Sequence, residues 1–481
     1  MTSFNLTTDP WIPVRWLDGR STAVSLHQLF AESSHIADLA VSPHERISIL
    51  RLLICITQAS LGAPATPDDW PGWGDDLEAA ATAYVTKWNE HFNLMGEGPR
   101  FLQSPIKDDK DYPVAQVVYH FATGNTPTLL DHEGDDAREF SPAFLARALL
   151  VYQNHFVGGS LASKVKGNGP ALKALHSFLI GTDLRQTILL NCMDEEMLHP
   201  SLLGKPVWEG GGKSDYLARL VPAPCKLWLV KSGSRICIDQ GTVYDEFEAS
   251  AIRETSATII IGKRAGTETP VLLRANTGKG IWRDLHCISV VSKAEKNAPM
   301  TFSSHLQELG NQPEITFWTG ELIKAKDAKI LDAVESVFTV PFQFFSLAGQ
   351  NRYQTGVAFA DSYSNRIYGA VKTYFATLMM ESGPTESAKR HFWNTLDQRS
   401  SILLSLLKNL GTAEDPMGAA EFGKGQDPWT LAVRAAANAA YEATCPRQNP
   451  RHYQAYAAGL RVLWPTAKKS TSKKTPAQIH S

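Results

Sequence analysis

Three short stretches of this chain carry residue types that could do chemistry. Asp131-His132-Glu133-Gly134-Asp135-Asp136 crowds carboxylates beside an imidazole. Such a set of hard oxygen ligands could hold a divalent cation for phosphodiester cleavage; the plainer reading is a solvated acidic loop. Glu209 to Ser214, EGGGKS, ends like a phosphate-binding loop, but that pattern needs a glycine where Val207 stands, so it is rejected. Phe156 to Pro170, FVGGSLASKVKGNGP, sets Gly158, Gly159, Gly167 and Gly169 around Lys164 and Lys166. Glycines that bare backbone N–H groups beside lysines suit a phosphate or the edge of a nucleic-acid groove, and the competing reading is an ordinary surface loop. No HExxH pair, GxSxG elbow, zinc spacing or cofactor fingerprint occurs. The expectation is therefore no enzyme, no metal and no cofactor.

The elements that must position these stretches follow from length and pattern. At 481 residues, 43% hydrophobic and 20% charged, the chain should form two or more globular domains. No apolar run approaches a membrane span, and MTSFNLTTDPWIPV has neither a basic n-region nor an apolar h-region, which places the chain in the cytoplasm, away from membranes. The six cysteines are scattered and sit mostly in apolar runs, as core residues of a reducing compartment do. A net charge of −2 argues against coating nucleic acid by bulk charge and leaves room for a local basic groove.

Pro43 to Ala59 reads as a buried helix, Phe140 to Tyr152 as another, and Asp183 to Asn191 as a strand or buried segment. Ser232-Gly233-Ser234 marks a hairpin, and Thr258 to Ile261, Val271 to Arg274 and Ile288 to Val291 continue a β-rich middle. From Tyr363 the pattern is helical: Tyr363 to Met380, Thr385 to Leu410, and two helices opened by Asp427-Pro428 and Asn449-Pro450. The expected fold is α+β, with a large mixed domain over 1–360, a four-helix bundle over 361–465 and a disordered basic tail over 466–481.

Several ordered stretches together resemble the CasA family, the large subunit of the type I-E CRISPR surveillance complex Cascade. They are Asp9 to Val14, Leu53 to Gln58, Pro99 to Gln103, Asn125 to His132, Gly158-Gly159, Asp183 to Arg185 with Thr187 to Asn191, and Ala388 to Trp393. The resemblance implies a non-catalytic antiviral subunit that inspects double-stranded DNA for the short motif beside a target, the PAM. It would start duplex opening and R-loop formation, then help recruit a separate helicase-nuclease. Its implied partners are guide RNA, target DNA, the other Cascade subunits and that helicase-nuclease. The guide RNA would read sequence by pairing while the protein reads the PAM.

The same resemblance assigns residues. Gly158, Gly159 and Ser160 would meet the PAM from the minor groove, where a degenerate pattern tolerates a backbone reader. A β-hairpin at Gln350 to Gly356, QNRYQTG, would carry a wedge, Gln354, with Tyr353 and Arg352 beside it. The loop holding Asn125, Leu129, Leu130 and His132 would anchor the 5′ end of the guide RNA, with Leu130 where relatives often have an aromatic. Lys164, Lys166, Lys389 and Arg390 would lie along DNA backbone. The family's PAM-directed lysine has no counterpart at Phe247 to Ser250, and Lys213 and Lys231 are the alternatives. Outside the resemblance, the acidic loop Asp131 to Asp136 leaves a metal-dependent nuclease as the alternative function.

Overall fold

The computed structural model describes residues 4–107, 110–119, 139–158, 165–245, 252–264, 266–288, 298–324, 330–381, 383–410, 422–424 and 427–465. The chain divides into two compact units, Met1–Ser346 and Leu347–Ser481.

In the first unit the strands are β1 (Ile12–Trp16), β2 (Ser21–Val24), β3 (Ile36–Leu39), β4 (Asp111–Pro113), β5 (His176–Ile180), β6 (Cys225–Val230), β7 (Arg235–Gln240), β8 (Ile259–Arg264), β9 (Thr267–Leu272), β10 (Glu314–Lys324) and β11 (Ile330–Pro341). They pair antiparallel into three small sheets, β2-β1-β3, β4-β7-β6 and β11-β10-β5, and one ribbon, β8-β9.

The helix Pro43–Leu61 runs through the core of this unit. Ser42 and Glu45 close a capping box at its start, Pro43 supplies the first helical position, and every residue from Arg46 to Gln58 is buried. A helix apolar on all sides must be surrounded. It packs against the helices Leu77–Lys87, Pro142–Asn154, Leu184–Leu189 and Tyr216–Leu220 and against β10. Trp11, Leu53, Phe101, Leu149 and Trp318 belong to a large apolar core around it.

Some expectations change here. Residues 183–191 are helical over Leu184–Leu189, because the Asp183 carboxylate accepts from Gln186 N at 2.8 Å and nucleates a turn that the branched side chains then follow. The Ser232 turn does join β6 to β7, and β8 and β9 lie where the β-rich middle was expected. Ile288, expected in a strand, instead ends the short helix Leu285–Ile288, and 289–291 lie outside the described residues.

The second unit begins upstream of the expected boundary at 360/361, because its first helix runs unbroken over Leu347–Thr377. This overturns the hairpin at Gln350 to Gly356. Tyr353, Val357, Ala360, Ser364, Ile367, Val371 and Tyr374 are buried along one continuous stripe. Gly356 is no turn residue: a Cβ there would lie 2.4 Å from Leu403 Cδ1, and its carbonyl accepts from Trp429 Nε1 at 2.9 Å. It is the point where this helix meets its neighbours. The expected second helix comes in pieces, Thr385–Asp397, Ser400–Ser405 and a 3-10 turn at Leu406–Asn409.

Asp427 and Asn449 cap the last two helices, Pro428–Thr444 and Pro450–Leu463, accepting from Thr430 N and His452 N at 2.7 and 3.0 Å. The Leu347–Thr377 helix packs on Thr385–Asp397, Pro428–Thr444 and Pro450–Leu463. Residues 466–481, the expected tail, lie outside the described residues.

Candidate nucleic-acid interface

The glycine stretch forms a loop with a narrow neck. The Pro142–Asn154 helix ends at His155, and Phe156 and Val157 run out beside the returning Gly167 to Gly169. Gly169 N donates to Phe156 O at 2.8 Å, Ala171 N to Asn154 O at 3.1 Å, and Gly158 N to Asn168 Oδ1 at 3.2 Å. The two stems are so close that a Cβ on Gly158 would sit 2.2 Å from Gly167 O, and one on Gly169 the same 2.2 Å from Asn154 O. Gly167 turns the chain at φ +90°, a conformation that favours glycine.

Three of the four glycines thus serve the neck itself. Gly158, expected at the PAM, packs against the other stem; Gly159, Ser160 and Lys164 lie outside the described residues. Lys166 is held by its backbone, which exchanges hydrogen bonds of 2.7 and 3.3 Å with the Gln240 side chain at the end of β7, and its side chain is exposed.

Beneath the neck lies a closed ring of buried polar groups centred on Arg51, which sits in the middle of the Pro43–Leu61 helix. Arg51 Nε donates to Asn154 Oδ1 at 2.8 Å and to Leu220 O at 3.1 Å. Its Nη1 pairs with Glu254 and its Nη2 donates to Arg219 O. Glu254 Oε1 takes a hydrogen bond of 3.3 Å from Ser256 Oγ, which lies 2.8 Å from His176 Nδ1. His176 Nε2 donates to Ala171 O at 2.9 Å, and Ala171 N returns to Asn154. The ring ties both stems of the loop to one buried guanidinium.

Burial pushes the His176 imidazole below its ordinary pKa, with Glu254 opposing and Arg51 reinforcing the shift. Burial, then the fields of His176, His44 and Arg51, hold His155 well below its own. Arg51 is one basic residue in the apolar run ILRLLIC, and its partners cannot be read from the sequence. The available signal is a charge flanked on both sides by apolar residues.

A family model described as CRISPR-associated protein Cse1 matches residues 5–440 of this chain. The chain belongs to the Cse1 family. It is 28% identical over 215 residues to the CRISPR-associated protein CasA/Cse1 of Thermus thermophilus, a match spanning 43% of this chain and 42% of that protein, under half the length of the curated relative.

Among solved structures, Thermus thermophilus CasA (Cse1) aligns with a TM-score of 0.76 at 20% identity, covering 96% of this chain and 98% of that one. Cse1 of Acidimicrobium ferrooxidans aligns at 0.75 and 20%, covering 96% and 97%. A chain of a CRISPR RNA-guided surveillance complex aligns at 0.72 and 16%, covering 96% and 99%. At these identities the likeness is one of fold.

Within this Cse1-family chain the expected site residues fall as follows. The guide-anchoring set Asn125, Leu129, Leu130 and His132, and the acidic residues 131–136, lie outside the described residues, while both ends of that segment are held. On one side Tyr119 stacks on Tyr152 with ring centroids 5.6 Å apart and donates to His155 O at 2.7 Å. On the other, Phe140 stacks on Phe144 at 5.0 Å. His155 therefore lies between the foot of this segment and the glycine neck.

The wedge trio is separated by the helix that contains it: Tyr353 is fully buried, Arg352 lies over Phe422 at 4.1 Å, and Gln354 faces solvent. The longest strand pairing among the described residues is β10 with β11, inside the β11-β10-β5 sheet. Lys389 lies 3.4 Å from Glu386 and over the Tyr368 ring, and Arg390 is exposed on the same helix. Lys213 pairs with Asp245 at 3.3 Å and Lys231 with Asp111 at 2.8 Å, so each alternative for the PAM lysine has a carboxylate partner. Among the described residues no group of three or more His, Cys, Asp or Glu is placed to hold a metal, and no helix is long and apolar enough to cross a membrane.

Proposed function

We propose that this chain is the non-catalytic large subunit of an RNA-guided CRISPR surveillance complex, reading the PAM in double-stranded DNA and starting strand separation. The observation that carries the reading is the Cse1-family match over residues 5–440. A fold shared over 96% of the chain with a protein of an RNA-guided surveillance complex supports it. Guide RNA, the other subunits of that complex and target DNA are the partners, and cleavage belongs to a separate helicase-nuclease recruited to the open complex.

The glycine neck suits this role. Its stems are pinned to each other and to Arg51, and a reader that springs from a rigid base loses less entropy on binding. Lys164 and Lys166 supply charge toward the DNA backbone, the Asn125 to His132 segment anchors the guide RNA, and Lys389 and Arg390 favour displaced single strand.

The test is binding of PAM-containing and PAM-scrambled duplex to the chain assembled with guide RNA and partner subunits, wild type against Gly159→Asp. A PAM-dependent affinity that collapses in the variant is expected. Equal binding of both duplexes, unchanged by the substitution, overturns the reading.

A further inference from the structure

Beside the glycine neck a cleft of about 530 Å³ opens between Gly167–Gly169 and β9, and Lys173, Arg219 and Arg274 line it. Leu175 N donates to Leu273 O at 2.8 Å, which sets the Lys173 segment alongside Arg274. Arg274 Nη2 donates to Lys324 O at 3.4 Å, which sets the end of β10 at the margin of the cleft, next to Arg274. Partial burial, then the fields of Lys173 and Arg274, depress the pKa of Lys324.

The carboxylates nearby are already engaged. Glu254 is held by Arg51, Asp245 by Lys213 at 3.3 Å, and Glu321 by Arg274 at 3.2 Å and by Ala275 N at 2.6 Å. Lys173, Arg219 and Lys324 have no ion pair among the described residues. Arg219 is only 6% exposed, its Nη1 has no hydrogen-bond partner, and its guanidinium rests 5.7 Å from the Tyr244 ring. A desolvated cation left this way is stabilised by an incoming anion. Lys173 adds a strained backbone, φ 67°, in the left-handed region that a lysine rarely adopts. Val243, Val271 and Leu272 give the cleft an apolar wall suited to a sugar face.

We propose that this cleft is a phosphodiester site in which Lys173 and Arg219, with Lys324 at its margin, hold a backbone phosphate of duplex DNA beside the glycine loop. It rests on the DNA-inspecting role proposed above and adds a contact that is blind to sequence. A phosphate contact fixes the register of the duplex, while the loop reads the PAM.

The experiment measures duplex affinity against salt for the full chain assembled with guide RNA and partner subunits, with PAM-containing and PAM-scrambled duplexes. Lys173→Gly relieves the strained backbone, so its melting temperature should not fall, and Lys324→Gln is the second variant. Each should weaken both duplexes by the same factor, about three- to tenfold, and reduce the slope of log K against log salt by about 0.9 per lost phosphate. Wild-type affinity and slope in both variants, with wild type still preferring the PAM duplex, overturn the cleft and leave the DNA role standing. Weakening confined to the PAM duplex overturns it too, since that is base reading, and loss of guide RNA at unchanged duplex affinity assigns the cleft to RNA. Wild type that binds neither duplex removes the DNA role itself.

Discussion

Gly158→Ala isolates the neck of the glycine loop. Gly158 has no left-handed backbone, so alanine fits its dihedral angles, and only space is at issue. The added methyl would sit 2.2 Å from Gly167 O, and 3.1 Å from both the carbon and the nitrogen of Gly167, all backbone atoms with no rotamer to change. Reaching ordinary contact at 3.4 Å requires the stems to part by about 1.2 Å. That opens the 2.8 Å bond from Gly169 N to Phe156 O and the 3.2 Å bond from Gly158 N to Asn168 beyond hydrogen-bonding range. At about 1 kcal/mol per bond plus 1–3 kcal/mol for overpacking, the expected local cost is about 3–5 kcal/mol.

Gly167→Ala is the contrast. Its Cβ finds 3.4 Å to Val243 Cγ1 but takes a φ of +90°, a strain of about 1–2 kcal/mol. Hydrogen exchange should therefore show faster exchange at Gly169 N and Ala171 N in Gly158→Ala than in Gly167→Ala, and PAM-duplex affinity should fall in the same order. Equal protection in wild type and Gly158→Ala would refute the close-stem account.

Three other outcomes are expected. Arg51→Met leaves Glu254 and Asn154 buried without their partner, so stability should fall by about 3–5 kcal/mol in chemical denaturation, with the glycine loop exposed to protease before the rest of the unit. His155 and His176 are held neutral in the folded chain, whereas the unfolded chain takes up protons below about pH 6.5. Their contribution is thus present above that pH and lost below it, by about 2 kcal/mol at pH 5 for each imidazole still neutral; thermal melts from pH 7 to 5 check this, and His155→Phe should flatten the dependence. Gly459→Ala places a Cβ 2.1 Å from Tyr441 Oη and 2.5 Å from Ala370 O, so a substitution that gains about 1 kcal/mol of helix propensity should still lower the melting temperature of the helical unit.

Local rules carried the reading wherever the deciding interaction lies close in sequence. The caps at Asp427 and Asn449, the Ser232 turn and the buried Pro43–Leu61 helix were legible because a cap, a turn and a 3.6-residue period are each complete within a few residues. The ordered family stretches likewise pointed to the Cse1 family that the match over 5–440 shows. QNRYQTG misled for the converse reason. Its glycine and polar residues are the chemistry of a turn, yet Gly356 is required by Leu403 and Trp429, far along the chain, and the buried stripe through Tyr353 keeps the segment helical.

The glycine loop divides the same way. Its glycines and lysines are plain in the sequence, but which glycines close the neck depends on an approach between stems ten residues apart in register, Gly158 N to Asn168 Oδ1. Arg51 lies further still from sequence reasoning, because its partners Asn154, Arg219, Leu220 and Glu254 come from segments that meet only once the core has formed. Sequence by itself determined the capped helices, the Ser232 turn and the family, since these are written in short-range patterns. The tertiary structure alone decided which charge is buried, which glycine is crowded and which cations share one cleft, because burial and long-range contact are properties of the packed chain.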